Sequence, residues 1–171
     1  MSTLLPIINT DLPDRRADVV FIHGLGGDVR ATWQSNSSDD GFWPIWLGRS
    51  LKNVGIWSVG YDASVSSWKG YALGLEKRAT NVLALMESDK VGDRPLIFIT
   101  HSLGGLVAKQ MLRIAHDSDQ PNRNAIQKQT KGIVFLATPH AGSVLADWIR
   151  LIPFVRPTAS MYDLMHNSVL S

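Results

Sequence analysis

Short apolar runs alternate with amphipathic segments along this chain. The runs are brief, rich in β-branched and aromatic residues, and bounded by polar or glycine-containing stretches, which predicts strands. They lie near residues 18–23, 55–61, 95–100 and 132–137. Apolar positions at helical spacing predict helices between and after these strands. The helices lie near residues 43–53, 71–88 and 102–116. This alternation indicates an α/β fold with a mostly parallel sheet and helices on both faces.

Two polar stretches, 34–41 and 117–131, show no apolar period, and we predict loops there. Neither marks a domain boundary, so residues 1–171 are predicted to form one domain. The chain is 44% hydrophobic and 19% charged, close to the averages of globular proteins. Its net charge of only +2 gives no basis for binding nucleic acid.

The chain contains no cysteine, which excludes disulfides and thiol catalysis. This composition fits a reducing compartment, and we predict a cytoplasmic location. No segment reaches the roughly 18 apolar residues of a membrane span. Peripheral contact with a membrane stays open.

The clearest chemical signal is a serine between a predicted strand and a predicted helix. The segment T-H-S-L-G-G at 100–105 resembles the G-x-S-x-G turn of serine hydrolases, with Thr100 in place of the first glycine. Such a turn exposes the serine oxygen and lets the next backbone N–H stabilise an oxyanion. We therefore predict Ser102 as the nucleophile and the N–H of Leu103 as one oxyanion donor. Taken alone, a buried serine in an ordinary turn would give a similar pattern.

A glycine-rich loop, H-G-L-G-G at 23–27, directly follows the first predicted strand. Its glycines allow backbone N–H groups to turn inward, and the N–H of Leu25 is the predicted second oxyanion donor. A phosphate-binding loop is the alternative interpretation. It is disfavoured because Val29 stands where the dinucleotide motif needs its third glycine, and no Gly-Lys-Ser/Thr follows.

A third motif, A-T-P-H-A-G-S at 137–143, follows the fourth predicted strand. With the other two, in this order, it is similar to the motif set of lipase-like serine esterases, the group around serine active site-containing protein 1 and the GPI inositol-deacylases. The resemblance implies an α/β-hydrolase fold that acts on carboxylic esters, often of lipids. It also implies Ser102 as nucleophile and Leu25 and Leu103 as oxyanion donors. In such proteins His140 shapes the loop and is not the catalytic base.

The catalytic acid and histidine are not evident from the sequence. In this fold they follow the nucleophile, on loops after later strands, whereas only four strands are predicted here. His23 and His101 precede Ser102, and His116 would lie about 21 Å away along a helix. We therefore expect the base beyond residue 171, and the chain to be the N-terminal part of the fold in a larger protein.

Two histidines stay as candidates for the base. His140 follows a neighbouring strand at the same edge of the sheet. His166 comes late enough to follow an acid, Asp147 or Asp163, in the required order.

The tryptophans and one apolar segment leave alternatives open. Trp43 and Trp46 are three residues apart on a predicted helix, and we predict that both pack on the sheet. Trp33 is either core or the wall of an acyl pocket. Residues 149–155 are either a lid or a partly buried connection.

We predict a serine hydrolase that cleaves small-molecule or lipid esters through an acyl-enzyme on Ser102. The reaction needs no metal or organic cofactor. One alternative is a catalytically incomplete hydrolase-fold module that serves as an effector or interaction domain. The other is an acyltransferase, which shares every motif.

Overall fold

A five-stranded sheet forms the centre of the molecule. The computed structural model describes residues 2–35, 41–63 and 71–140, without the side chains of 71 and 72. The strands are β1 (Thr3–Ile8), β2 (Ala17–Ile22), β3 (Val54–Gly60), β4 (Leu96–His101) and β5 (Thr130–Leu136). Their order in the sheet is β1-β3-β2-β4-β5, with β1 antiparallel to β3 and all other neighbouring pairs parallel. The carboxyl ends of β2 to β5 therefore meet at one edge.

Helices cover both faces of this sheet. In the described part of the chain they are α1 (Trp43–Ser50), α2 (Tyr71–Ser88), α3 (Gly104–His116) and α4 (Pro121–Gln129), and a short 3-10 turn spans Ala31–Trp33. Side chains of α1 pack on one face, whereas those of α2, α3 and α4 pack on the other. The predicted α/β architecture is thus confirmed.

Alternation along β2 builds the two core layers. Val20 and Ile22 point to the face covered by α2 and α3, and both are fully buried. Val19 and Phe21 point to the α1 face, where Phe21 meets the ring of Trp43 at a centroid distance of 4.7 Å. A strand buried on both sides reads as a continuous apolar run, which is why the sequence predicts it so clearly.

Strand β1 was not predicted. Thr3–Ile8 contains Pro6 and is mostly exposed or half-buried, so it lacks the pattern of an interior strand. A proline is tolerated there because β1 pairs on one side only within the described sheet. Residues 3–8 form a strand because they pair with β3, a segment that is distant in the sequence.

The prediction of a loop throughout 117–131 was wrong, because α4 occupies most of it. Pro121 lies in the first turn, where its missing N–H costs nothing. Ile126 is the single buried residue of this helix. One buried apolar residue leaves no period to detect.

The prediction that both Trp43 and Trp46 pack on the sheet holds only for Trp43. Helix α1 buries Pro44 and Gly48, which are four residues apart and define its inner face. Trp46 lies off this face and is 60% exposed.

Replacing Gly48 by alanine is expected to destabilise the fold, although alanine is the better helix former. The added methyl group would lie 2.2 Å from Cγ2 of Ile8 and 2.9 Å from Cγ1 of Ile56, and such overpacking costs about 1–3 kcal/mol. Urea unfolding of Gly48→Ala measures the change. Gly132→Ala is the control, because a methyl group there meets nothing within 4 Å. Equal stability of the two variants would contradict the packing of α1 on β1.

Candidate active site

Ser102 sits on a strained turn between β4 and α3. Its φ of +53° lies in the left-handed region, which costs a residue other than glycine about 1–3 kcal/mol. The end of β5 holds this backbone on both sides. The N–H of Ser102 donates to the carbonyl of Leu136 at 2.8 Å, and Oγ1 of Thr138 donates to the carbonyl of Ser102 at 3.0 Å. The serine is only 4% exposed.

Thr100, the departure from the G-x-S-x-G pattern, is fully buried. Its Oγ1 donates to the carbonyl of Val134 on β5 at 3.0 Å. The hydroxyl therefore finds a partner inside the sheet, and the β-branched residue fits a strand position.

The loop at 23–27, hereafter the oxyanion loop, packs directly on this turn. A methyl group at Gly24 would lie 2.7 Å from Cβ of Ser102 and 3.1 Å from the backbone nitrogen of Leu103. A methyl group at Gly104 would lie 2.4 Å from the carbonyl oxygen of His23. No side chain fits at either place. The two glycine-rich motifs and the end of β5 thus form one packed unit around Ser102.

The N–H groups of Leu25 and Leu103 lie on these two touching loops. Among the described residues, neither N–H has a hydrogen-bond acceptor, although Leu103 is only 3% exposed. Buried N–H groups without a partner are rare. Leu25 is half-buried, and Leu103 is the residue that caps the start of α3. Two N–H groups beside a serine suit the binding of a ligand oxygen. Their role as oxyanion donors stays a prediction.

His23 and Tyr61 form a buried neutral pair behind the oxyanion loop. The rings stack with centroids 4.4 Å apart, and the hydroxyl of Tyr61 donates to the carbonyl of His23. Nδ1–H of His23 donates to the carbonyl of Gly24 at 2.9 Å, since a carbonyl can only accept. Burial lowers the pKa of His23 and raises the pKa of Tyr61. Neither group was predicted from the sequence to support the loop.

His140, one of the two candidates for the catalytic base, contacts a cation and an aromatic ring. Nδ1 of His140 lies 2.8 Å from Nζ of Lys109, and its ring meets Phe135 edge-on. A catalytic histidine is normally oriented by a carboxylate, not by an ammonium group. His101 packs edge-on against Trp33 on the α1 side. The remaining candidates, Asp147, Asp163 and His166, lie outside the described residues.

Trp33 belongs to the core. It is 3% exposed and packs edge-on against Phe21 and Trp43. This packing supports the core interpretation over an acyl pocket. The segment 149–155, interpreted as a lid or a connection, lies outside the described residues.

A cavity of about 350 Å³ lies between the start of β1, the segment after β3 and α2. It is lined by Ser2, Tyr61, Asp62, Gly74, Lys77, Arg78 and Asn81. Ser102 is not among these residues, whereas Tyr61, which contacts the oxyanion loop, is.

The described residues contain neither a membrane-spanning helix nor a cluster of metal ligands. None of their helices combines the length and the apolar character needed to span a bilayer. No three acidic or histidine side chains among them converge as a metal site would require.

The chain is similar to a described domain family and to several known proteins. Residues 15–165 match the family model of the PGAP1-like alpha/beta domain. Protein SERAC1 of Mus musculus is 37% identical over 175 residues, which cover 90% of this chain and 26% of that protein. Protein SERAC1 of Danio rerio is 32% identical over 189 residues, covering 96% of this chain and 28% of that protein. The chain thus spans about a quarter of the length of these curated relatives.

Among solved structures, YbtT, a type II thioesterase from the yersiniabactin NRPS/PKS biosynthetic pathway, is similar in fold. It is 15% identical with a TM-score of 0.48, covering 95% of this chain and 63% of that chain. At that score the likeness says nothing about function. The family match confirms the resemblance inferred from the three motifs, and with it a hydrolase-fold domain of the esterase type.

The pH dependence of stability tests the burial of His23. Since burial lowers the pKa of folded His23, the unfolded chain, with a pKa near 6.5, binds more protons below that pH. The free energy of unfolding is therefore highest above pH 6.5 and decreases as the pH falls toward the folded pKa. His23→Asn keeps a donor for the Gly24 carbonyl and should lose this part of the decrease. Urea midpoints from about pH 8 to about pH 5 measure it. Parallel curves for the two proteins would argue against a neutral, buried His23.

Proposed function

Because the chain belongs to the PGAP1-like alpha/beta domain family, we propose that it is a serine hydrolase with Ser102 as its nucleophile. One observation carries the proposal. Ser102 has a left-handed backbone held by β5, and the N–H groups of Leu25 and Leu103, which have no acceptor among the described residues, lie on the loops that touch there. A serine at such a turn with two nearby donors suits attack on a carbonyl carbon.

In the proposed reaction, Oγ of Ser102 bonds to the carbonyl carbon of an ester while a base takes the Oγ proton. The carbonyl oxygen becomes an oxyanion that accepts hydrogen bonds from the N–H groups of Leu25 and Leu103. When the carbon–oxygen bond to the alcohol breaks, the leaving oxygen receives the proton. Water then attacks the acyl-enzyme, releases the carboxylic acid and restores the serine hydroxyl.

The proposed substrates are carboxylic esters of small molecules or lipids. The support is the order and spacing of the three motifs, which resemble those of lipase-like esterases, and the family match over 15–165. A reducing compartment such as the cytoplasm is part of the proposal, since the chain contains no cysteine.

The two alternatives differ from this proposal in measurable ways. An acyltransferase would pass the acyl group to an alcohol other than water, and analysis of the products separates it from a hydrolase. A catalytically incomplete module would keep the fold but lack an activated serine. Reactivity of Ser102 separates the module from both enzymes.

In the full-length protein that contains this sequence, Ser102 is expected to be labelled by a fluorophosphonate probe, because such probes react with activated serines. Ser102→Ala should abolish the labelling. Ser58→Ala is a matched control, since Ser58 is equally buried but donates its hydroxyl to the carbonyl of Val29. Mass spectrometry of the labelled peptide checks the position. Labelling that persists in Ser102→Ala would show that another serine reacts.

A second prediction separates backbone from side-chain roles in the oxyanion loop. Leu25→Ala retains the N–H and should keep ester hydrolysis within about tenfold of wild type. Gly24→Ala should lower kcat by about 100-fold or more, because its methyl group would lie 2.7 Å from Cβ of Ser102. Steady-state hydrolysis of a p-nitrophenyl ester measures both.

Gly132→Ala serves again as the control glycine, since its surroundings are open. If Leu25→Ala were as damaging as Ser102→Ala, the donor would not be the backbone of Leu25.

A further inference from the structure

The oxyanion loop is held in place by the short segment that follows β3. The hydroxyl of Tyr61 donates to the carbonyl of His23 at the start of the loop. Near the other end, the N–H of Gly26 donates to the carbonyl of Ala63 at 2.8 Å. Residues 61–63, hereafter the strap, therefore contact the loop on both sides of Leu25.

The strap is in turn anchored by a buried arginine. Nε and Nη2 of Arg78, on α2, donate to the carbonyl of Asp62 at 3.0 and 2.8 Å. Nη1 donates to the carbonyl of Gly74 at 2.9 Å. The residue is 8% exposed, and burial lowers the pKa of its guanidinium. Charged donors make stronger hydrogen bonds than neutral ones, and a planar fork fixes direction as well as distance.

We propose that Arg78 is a positioning residue for the oxyanion loop, acting through the strap on the N–H of Leu25. This inference rests on the proposed function, because the oxyanion loop is taken to supply a donor to the reaction. The contacts between Arg78, the strap and the loop are independent of that function. The path runs from Arg78 to Asp62, along the strap to Tyr61 and Ala63, and then to the loop. Each link is a hydrogen bond or a covalent bond, with no gap between them.

The guanidinium geometry of Arg78 explains why a lysine could not make the same contacts. A single ammonium group cannot present the parallel pair of N–H groups that Asp62 receives while also reaching Gly74. Arg78→Lys keeps the positive charge and most of the volume. A loss in this variant therefore reports on geometry rather than on charge.

Hydrogen exchange gives a test that needs no enzymatic activity. In Arg78→Lys, the amide of Gly26 is expected to exchange about tenfold faster or more, because its acceptor Ala63 belongs to the loosened strap. Arg15→Lys is the matched control. The Arg15 side chain is 10% exposed and its Nε pairs with Asp18 at 2.9 Å, at the opposite edge of the sheet. That control should leave exchange at Gly26 unchanged.

Kinetics of ester hydrolysis test the consequence for the reaction in the full-length protein. Arg78→Lys and Tyr61→Phe should each lower kcat by about 10- to 100-fold with KM nearly unchanged, since misplacing an oxyanion donor weakens only the transition state. Combining the two should lower kcat by less than the product of the single effects, because both loosen one loop. Arg15→Lys combined with Tyr61→Phe should give the simple product.

The exchange and kinetic experiments together separate the possible roles of Arg78. Faster exchange at Gly26 together with a lower kcat in Arg78→Lys, but not in Arg15→Lys, supports the proposal. Unchanged exchange at Gly26, or equal effects of the Arg15 and Arg78 variants, overturns it. If exchange accelerates but kcat holds, the loop is anchored by Arg78 without serving the reaction, and the proposal fails in its second half. If wild type shows no Ser102 labelling, the proposed function fails, while exchange still decides whether Arg78 anchors the loop.

Discussion

The left-handed backbone of Ser102 is the constraint on which the rest of the site depends. It persists because Leu136 and Thr138 bind the serine's N–H and carbonyl, so the strained turn exists only when β5 is paired beside β4. Ala137, between these two partners, also has a positive φ, of +52°. The strain is therefore shared by two adjacent loops, and neither conformation is explained by its own residue type.

Close backbone approach extends this constraint to the oxyanion loop. Gly24 and Gly104 leave no space for a methyl group, so the loop, the turn at Ser102 and the start of α3 pack backbone against backbone. A parallel sheet makes this arrangement natural, because the loops after β2, β4 and β5 leave the same edge. The site is assembled from backbone far more than from side chains.

The two edges of the sheet differ in the buried polar side chains that they contain. At the amino edge, buried Asp18 accepts hydrogen bonds from Arg15 and Trp57, both at 2.9 Å. At the carboxyl edge, burial keeps His23 and Tyr61 uncharged, because it lowers the pKa of the first and raises that of the second. This neutral pair places no ionised side chain directly behind the oxyanion loop, which is compatible with the proposed role of its backbone N–H groups.

The sequence by itself determined what local pattern encodes: β2 to β5, three of the helices, and the place of Ser102 between a strand and a helix. Apolar periodicity and glycine spacing act over a few residues, so they can be read without a fold. Only the tertiary structure decided β1, α4, the exposure of Trp46, the contact of His140 with Lys109 and the anchoring of Asp62 by Arg78. These depend on segments that meet across the fold, or on which helix face meets the sheet, and such contacts leave no local pattern in the chain.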